Sequence, residues 1–199
     1  MIYIVATPGR TGSKLLVQLI SNYGTTPGGI CNAKSDLSPN AYRKLVKFKD
    51  TTNIVFHTHY IDYASQLGIN NYESILLVSK RRDTFAALMS MCVGQVTNDW
   101  QFYTNKRVNP FTIDLKKFLN LYQFYKQWYV DVYQPTYYKV IDVYYEDIIE
   151  YGEKGIADLL NIKQYIKTTN QISPKSPYSY KDLILNWEDL YYEYLQIRP

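Results

Sequence analysis

The sequence predicts an α/β fold of three layers, with a central, mainly parallel sheet flanked by helices. Three observations carry that prediction. Four apolar runs of strand length, Ile2–Thr7, Asn53–His57, Ser74–Ser79 and Tyr138–Val143, punctuate the chain. Each precedes a helical pattern or a polar loop, and alternation of strand with helix is the mark of parallel pairing. The first run also turns through a glycine-rich loop straight into a helix, which places it centrally in the sheet with its loop at the carboxyl edge.

The elements follow in order. Ile2–Val5 is apolar and β-branched, and it stops at Pro8-Gly9. Leu15, Leu16, Leu19 and Ile20 then recur at helical spacing, so a helix is predicted over Gly12–Tyr23. Further helices are predicted over Pro39–Lys47, Thr84–Val93, Ile113–Tyr133, Tyr145–Leu160 and Leu183–Leu195. With 199 residues, no repeat and no low-complexity linker, residues 1–199 read as a single domain. The balance of 46% hydrophobic and 20% charged residues is that of a soluble globular chain. No apolar run reaches the length of about 18 residues that a membrane span needs. Cys31 and Cys92 do not make a disulfide framework, so a reducing cytoplasm is the expected compartment. The loop begins so near the amino terminus that no signal peptide or preceding domain is expected. A net charge of +4 suits a small anionic ligand better than a nucleic-acid footprint. The 22 tyrosines admit two readings, a compositional bias or a surface that binds carbohydrate or arenes.

Three stretches carry chemistry, and each follows a predicted strand, so all three belong at the carboxyl edge of the sheet. The first is Gly9-Arg10-Thr11-Gly12-Ser13-Lys14. Glycine lets backbone approach an anion, and the first helical N–H groups point at it. Arg10, Thr11, Ser13 and Lys14 add side-chain donors. The loop is not a Walker A motif, because Gly9 and Gly12 are too close and Leu15 stands where a magnesium-binding Ser or Thr belongs. A phosphate site without a metal is expected. The second stretch holds both histidines of the chain, His57 and His59. Positions i and i+2 of a strand share a face, and a neutral imidazole there is placed to act as a general base. Neither Cys nor carboxylate clusters nearby to complete a zinc site, so no metal ligand is assigned. The third is Lys80-Arg81-Arg82-Asp83, where a buried strand ends and a helix starts. Asp83 is placed to cap that helix. Ser90 follows Arg82 by eight residues, about two helical turns. An Arg fork with a hydroxyl fits a second phosphate, while the plainer reading is a solvated basic turn.

Two phosphate motifs with a histidine pair between them imply a bisphosphorylated nucleotide. The chain resembles the sulfotransferases that use 3′-phosphoadenosine 5′-phosphosulfate. Thr7 to Ser13 is similar to that family's 5′-phosphosulfate loop, nearest its bacterial and Golgi-type carbohydrate branches. His57-Thr58-His59 resembles its Lys-Thr-His segment, with His59 in the place of the base. Arg82 with Ser90 looks like its 3′-phosphate pair, and Tyr144-Tyr145-Glu146-Asp147 like its Tyr-Glu-Asp segment. The resemblance runs from Met1 to about Leu160 and implies a P-loop-type fold.

It also implies roles. Gly9, Arg10, Thr11, Gly12, Ser13, Lys14 and Leu15 would hold the 5′ end of the nucleotide. Arg81, Arg82 and Ser90 would hold the 3′-phosphate. His59 would take a proton from a hydroxyl or amine of a small-molecule or carbohydrate acceptor, while Arg10 and Lys14 stabilise the departing phosphate. The products would be a sulfated acceptor and 3′-phosphoadenosine 5′-phosphate. Neither a metal nor a nucleic-acid partner belongs to this chemistry. Four departures stand out. Lys14 replaces a hydroxyl residue, His57 replaces a Lys and would orient or polarise, the family's usual Arg-Asn-Pro-x-Asp spacing is absent, and no Arg-Lys-Gly segment closes the chain. Lys175 and Lys181 are placed to substitute for that segment. The aromatic stretch Trp100–Tyr133 reads either as a roof over the acceptor or as a helical core face. The rival readings are a small-molecule kinase, which lacks its magnesium ligand after Lys14, and a non-catalytic nucleotide- or RNA-binding module built on Lys80, Arg81 and Arg82.

Overall fold

Parallel strands covered on both faces read as unbroken apolar runs, and the buried strands of this chain do so. The computed structural model describes residues 2–21, 25–31, 53–59, 74–98, 108–133, 139–161 and 179–199. Five strands, β1 (Ile2–Ala6), β2 (Thr25–Cys31), β3 (Asn53–Thr58), β4 (Ser74–Lys80) and β5 (Lys139–Tyr144), form one sheet in the order β2-β3-β1-β4-β5. Every pairing is parallel, and β1 is central as predicted. All of β1 is buried, as is β4 up to Lys80. Four of the strands match the predicted runs to within a residue or two at each end. The predicted Tyr138 start lies outside the described residues, as do the predicted helix Pro39–Lys47 and Lys175.

Contacts divide the chain into two compact units, Met1–Arg82 with Trp128–Ile172 and Asp83–Gln127 with Ser173–Pro199. In the first unit, helices α1 (Ser13–Ser21) and α4 (Tyr145–Leu160) flank the sheet. Leu15, Leu16, Leu19 and Ile20 of α1 share a core with Tyr3, Val5, Val55, Ile75, Leu77 and Val143 of the strands and with Ile148, Ile156 and Leu160 of α4. Each such side chain contributes about 1.5–3 kcal/mol by burial. This packing fixes the start of α1 against the end of β1, and with it the geometry of the loop between them.

The second unit contains α2 (Thr84–Thr97), most of α3 (Leu115–Asp131), α5 (Tyr180–Leu183) and α6 (Trp187–Ile197). Asp83 caps α2 as its sequence position predicts, its Oδ1 accepting from the Ala86 amide at 2.8 Å. The core here is aromatic. Phe85 meets Phe118, Trp187, Tyr191 and Tyr194 with ring centroids 4.8–6.1 Å apart, edge-on or tilted. Phe118, Tyr122 and Tyr125 of α3 are buried at helical spacing, so this part of the aromatic stretch is a core face. The helix predicted over Leu183–Leu195 is instead two pieces. They are separated at Asn186, whose side chain takes a hydrogen bond from the Ile113 amide at 3.0 Å and donates to the Ile113 carbonyl at 2.8 Å.

Candidate active site

The loop from Thr7 to Gly12 is held from behind by a chain of hydrogen bonds. The Gly9 amide donates to Thr7 Oγ1 at 2.9 Å. Thr7 Oγ1 and Thr11 Oγ1 are 2.6 Å apart, and Thr11 Oγ1 donates to Ser79 Oγ at 2.9 Å. Ser79 Oγ in turn donates to the Thr11 carbonyl at 2.9 Å. Because a hydroxyl has one proton, Thr7 must donate to Thr11, and the three hydroxyls run in a single direction. Thr7, Thr11 and Ser79 are all fully buried. The hydroxyl of Thr11, read from sequence as a ligand donor, is therefore committed to joining the loop to the end of β4.

The loop backbone fits an anion. Gly9, Arg10 and Gly12 have φ of 116°, 57° and 79°. Left-handed residues set among ordinary ones turn successive amides toward a common point. Arg10 adopts that conformation with a side chain, at a cost of roughly 1–2 kcal/mol. The Gly12 carbonyl accepts from the Leu16 amide at 3.0 Å, the first helical bond of α1. The amides of Ser13, Lys14 and Leu15 therefore begin the helix without intrahelical acceptors, and Leu15 enters the site through its backbone while its side chain is core. Gly12 has a second constraint: a Cβ there would lie 2.4 Å from Cδ2 of Tyr145. Lys14 is exposed, yet its ammonium sits below the usual lysine range because the loop withdraws some of its water and Arg10 repels it.

The two histidines are brought together at the end of β3, their ring centroids 5.0 Å apart and edge to face. His59 Nδ1 is 2.9 Å from the Thr7 carbonyl. A carbonyl only accepts, so Nδ1 carries the proton and Nε2 keeps its lone pair. Trp128 Nε1 donates to the His59 carbonyl at 3.1 Å, which anchors the backbone as well. Burial lowers the His59 pKa, and the Lys14 charge lowers it further against the Thr7 hydrogen bond. His57 is 2% exposed, and neither ring nitrogen finds a partner among the described residues. Burial, then His59 and Lys14, push its pKa down to about 3. The Lys14 ammonium thus acts on both rings. The loop and the histidines form one electrostatic site.

The basic turn is less open than its sequence implies, because each cation faces an acid and a tyrosine of the β5–α4 junction. Lys80 Nζ meets Asp142 Oδ2 at 2.5 Å, with the Tyr144 ring centroid 6.0 Å away. Arg81 Cζ lies 5.1 Å from the Tyr145 centroid, and its Nε 3.8 Å from Glu146 Oε1. Arg82 Nη2 meets Asp147 Oδ1 at 2.7 Å, and its Cζ lies 4.8 Å from the Tyr144 centroid. Ser90, in the second unit, is buried and accepts from the Tyr180 hydroxyl at 3.0 Å. Lys181 is exposed and pairs with Glu188 at 2.7 Å. Among the described residues no group of three or more His, Cys, Asp or Glu could hold a metal ion, and no helix is long and apolar enough to cross a membrane. Sequence reasoning missed Ser79, Trp128, Asp142 and the contact of Tyr145 with Gly12. All of these partners are distant in sequence, and only the strand register, which sets Val78 opposite Asp142, could have found one of them.

No family model matches the chain, and comparison with curated proteins finds no relative. Among solved structures, a crystal structure of mouse sulfotransferase SULT7A1 complexed with PAP is similar with a TM-score of 0.48 and 13% identity, over 98% of this chain and 82% of that one.

Proposed function

We propose that the chain is a sulfotransferase that moves a sulfuryl group from 3′-phosphoadenosine 5′-phosphosulfate to a hydroxyl or amine. One observation carries the reading. The anion-fitting loop and a neutral imidazole of fixed tautomer share a single hydrogen bond, from His59 Nδ1 to the Thr7 carbonyl. The base and the leaving-group site are thereby built on one frame. Uncharged His59 takes the acceptor's proton on Nε2 as the acceptor oxygen or nitrogen bonds to sulfur. The bond from sulfur to the bridging oxygen breaks, and the electron pair stays on the departing 5′-phosphate. Arg10, Lys14 and the first amides of α1 stabilise that charge as it grows. One such donor is worth roughly 3 kcal/mol of barrier. The 3′-phosphate is assigned to the basic turn, at Arg82. The chemistry draws on no metal.

The test is transfer of labelled sulfate from the donor nucleotide to a panel of phenols and monosaccharides, with and without chelator. Label transferred equally in both supports the reading. Transfer abolished by chelation, or phosphoryl transfer from ATP in its place, refutes it.

A further inference from the structure

Resting on the reading above, we infer that Tyr145 is a positioning residue that holds the anion loop and the Arg81 guanidinium in one fixed relation. Two contacts meet on its ring. On one side is Gly12, where a Cβ would lie 2.4, 3.2 and 3.3 Å from Tyr145 Cδ2, Cε2 and Cγ. The ring therefore rests against the α-carbon of the last left-handed residue in the loop, and no other residue leaves it room. Over its face lies Arg81, with Cζ 5.1 Å from the centroid, in the range of a cation–π contact.

The partners of Arg81 explain why the ring matters. Its Nε is buried without a hydrogen-bond partner among the described residues. The nearest carboxylate oxygen, Glu146 Oε1, is 3.8 Å away, too far for a hydrogen bond. Glu146 Oε2 is already engaged, accepting from the Arg82 amide at 3.0 Å. Lys80 and Arg82, by contrast, make close ion pairs with Asp142 and Asp147. Arg81 is thus aimed by stacking rather than by a close ion pair. The ligand that fits is a phosphate ester or pyrophosphate whose charge the loop amides and Arg81 share. The sequence places Tyr145 at the first position of α4, directly after β5, where the strand register fixes it. One ring then transmits any shift of the loop to the basic turn.

The test titrates 3′-phosphoadenosine 5′-phosphate and, separately, inorganic pyrophosphate into wild type, Tyr145→Phe, Tyr145→Leu, Tyr145→Ala and Arg81→Met by calorimetry. Thermal melts of every variant are recorded alongside. Tyr145→Phe should bind within twofold of wild type, because the ring does the positioning. Tyr145→Ala should bind about tenfold more weakly, and Tyr145→Leu, which keeps bulk without an aromatic face, should fall between. The effect of Tyr145→Ala should shrink in the Arg81→Met background. Should the Ala variant not fold, the contrast of Phe with Leu decides. Equal binding by Phe and Leu, or equal loss in Phe and Ala, overturns the inference. Pyrophosphate binding with this Tyr145 dependence but no nucleotide binding would sink the sulfotransferase reading and leave the positioning role standing. Binding of neither ligand by wild type overturns both.

Discussion

Replacing His57 with Leu should stabilise the fold and flatten its acid sensitivity. The imidazole is 2% exposed, with both nitrogens unpartnered among the described residues. Each buried polar atom left unpaired costs about 1–3 kcal/mol. Its pKa, ordinarily 6.5, is pushed to about 3 in the folded chain. Between those values the unfolded chain binds a proton that the folded chain refuses, so stability is lost as pH falls. From pH 7 to pH 5 the loss is about 2 kcal/mol, or roughly 4–8 °C in melting temperature for a chain of this size. A leucine of similar volume has no polar atoms to satisfy and no proton to bind. Melts of wild type and His57→Leu at both pH values should show the variant several degrees higher at pH 7. Its slope with pH should be shallower, keeping only what His59 contributes, since that pKa is lowered too. An unchanged slope with no gain at pH 7 would refute the argument and mean that the His57 nitrogens are paired.

Three further outcomes follow from the site. His59→Ala should lower turnover about a hundredfold or more with nucleotide affinity nearly intact, and the acid limb of the wild-type pH–rate profile should lie below 6.5, the ordinary histidine value from which His59 is lowered. Lys14→Met, assayed by single turnover with saturating nucleotide, should slow the chemical step about tenfold; an unchanged rate constant would leave the charge to Arg10 and the backbone. Thr11→Val should lower stability by about 1–3 kcal/mol, read from denaturant titration, because it interrupts the hydroxyl chain between Thr7 and Ser79 with little change in shape.

What the sequence revealed and what it hid divide along a physical line. Strands β1, β3 and β4 were legible because burial on both faces demands continuous apolar runs, and β5, a mostly exposed edge strand, because Val140, Ile141 and Val143 are β-branched. Strand β2 was not, because Thr25-Thr26-Pro27-Gly28-Gly29-Ile30-Cys31 carries a proline and two glycines. It lies at the sheet edge with an irregular register between Pro27 and Gly29, the position where such residues are tolerated. The Asp83 cap was legible because the amide that donates to it, that of Ala86, lies three residues on. The Thr11 hydroxyl was misread because its partner, Ser79, is 68 residues away. The partners of the basic turn were hidden for the same reason: the acids that face Lys80, Arg81 and Arg82 lie more than 60 residues downstream. Local chemistry shows in local sequence, whereas pairings across the sheet depend on register.

On the proposed function, the loop and the basic turn bind a nucleotide carrying phosphates at both ends. Calorimetry with adenosine 3′,5′-bisphosphate and with AMP, on the same wild-type preparation, tests it most directly. The expected result is one site, tight binding of the bisphosphate and binding of AMP weaker by about a hundredfold, since a charge-assisted phosphate contact contributes about 1.5–3 kcal/mol. Equal affinity for the two would contradict the assignment of Arg82, and binding of neither would contradict the nucleotide reading as a whole.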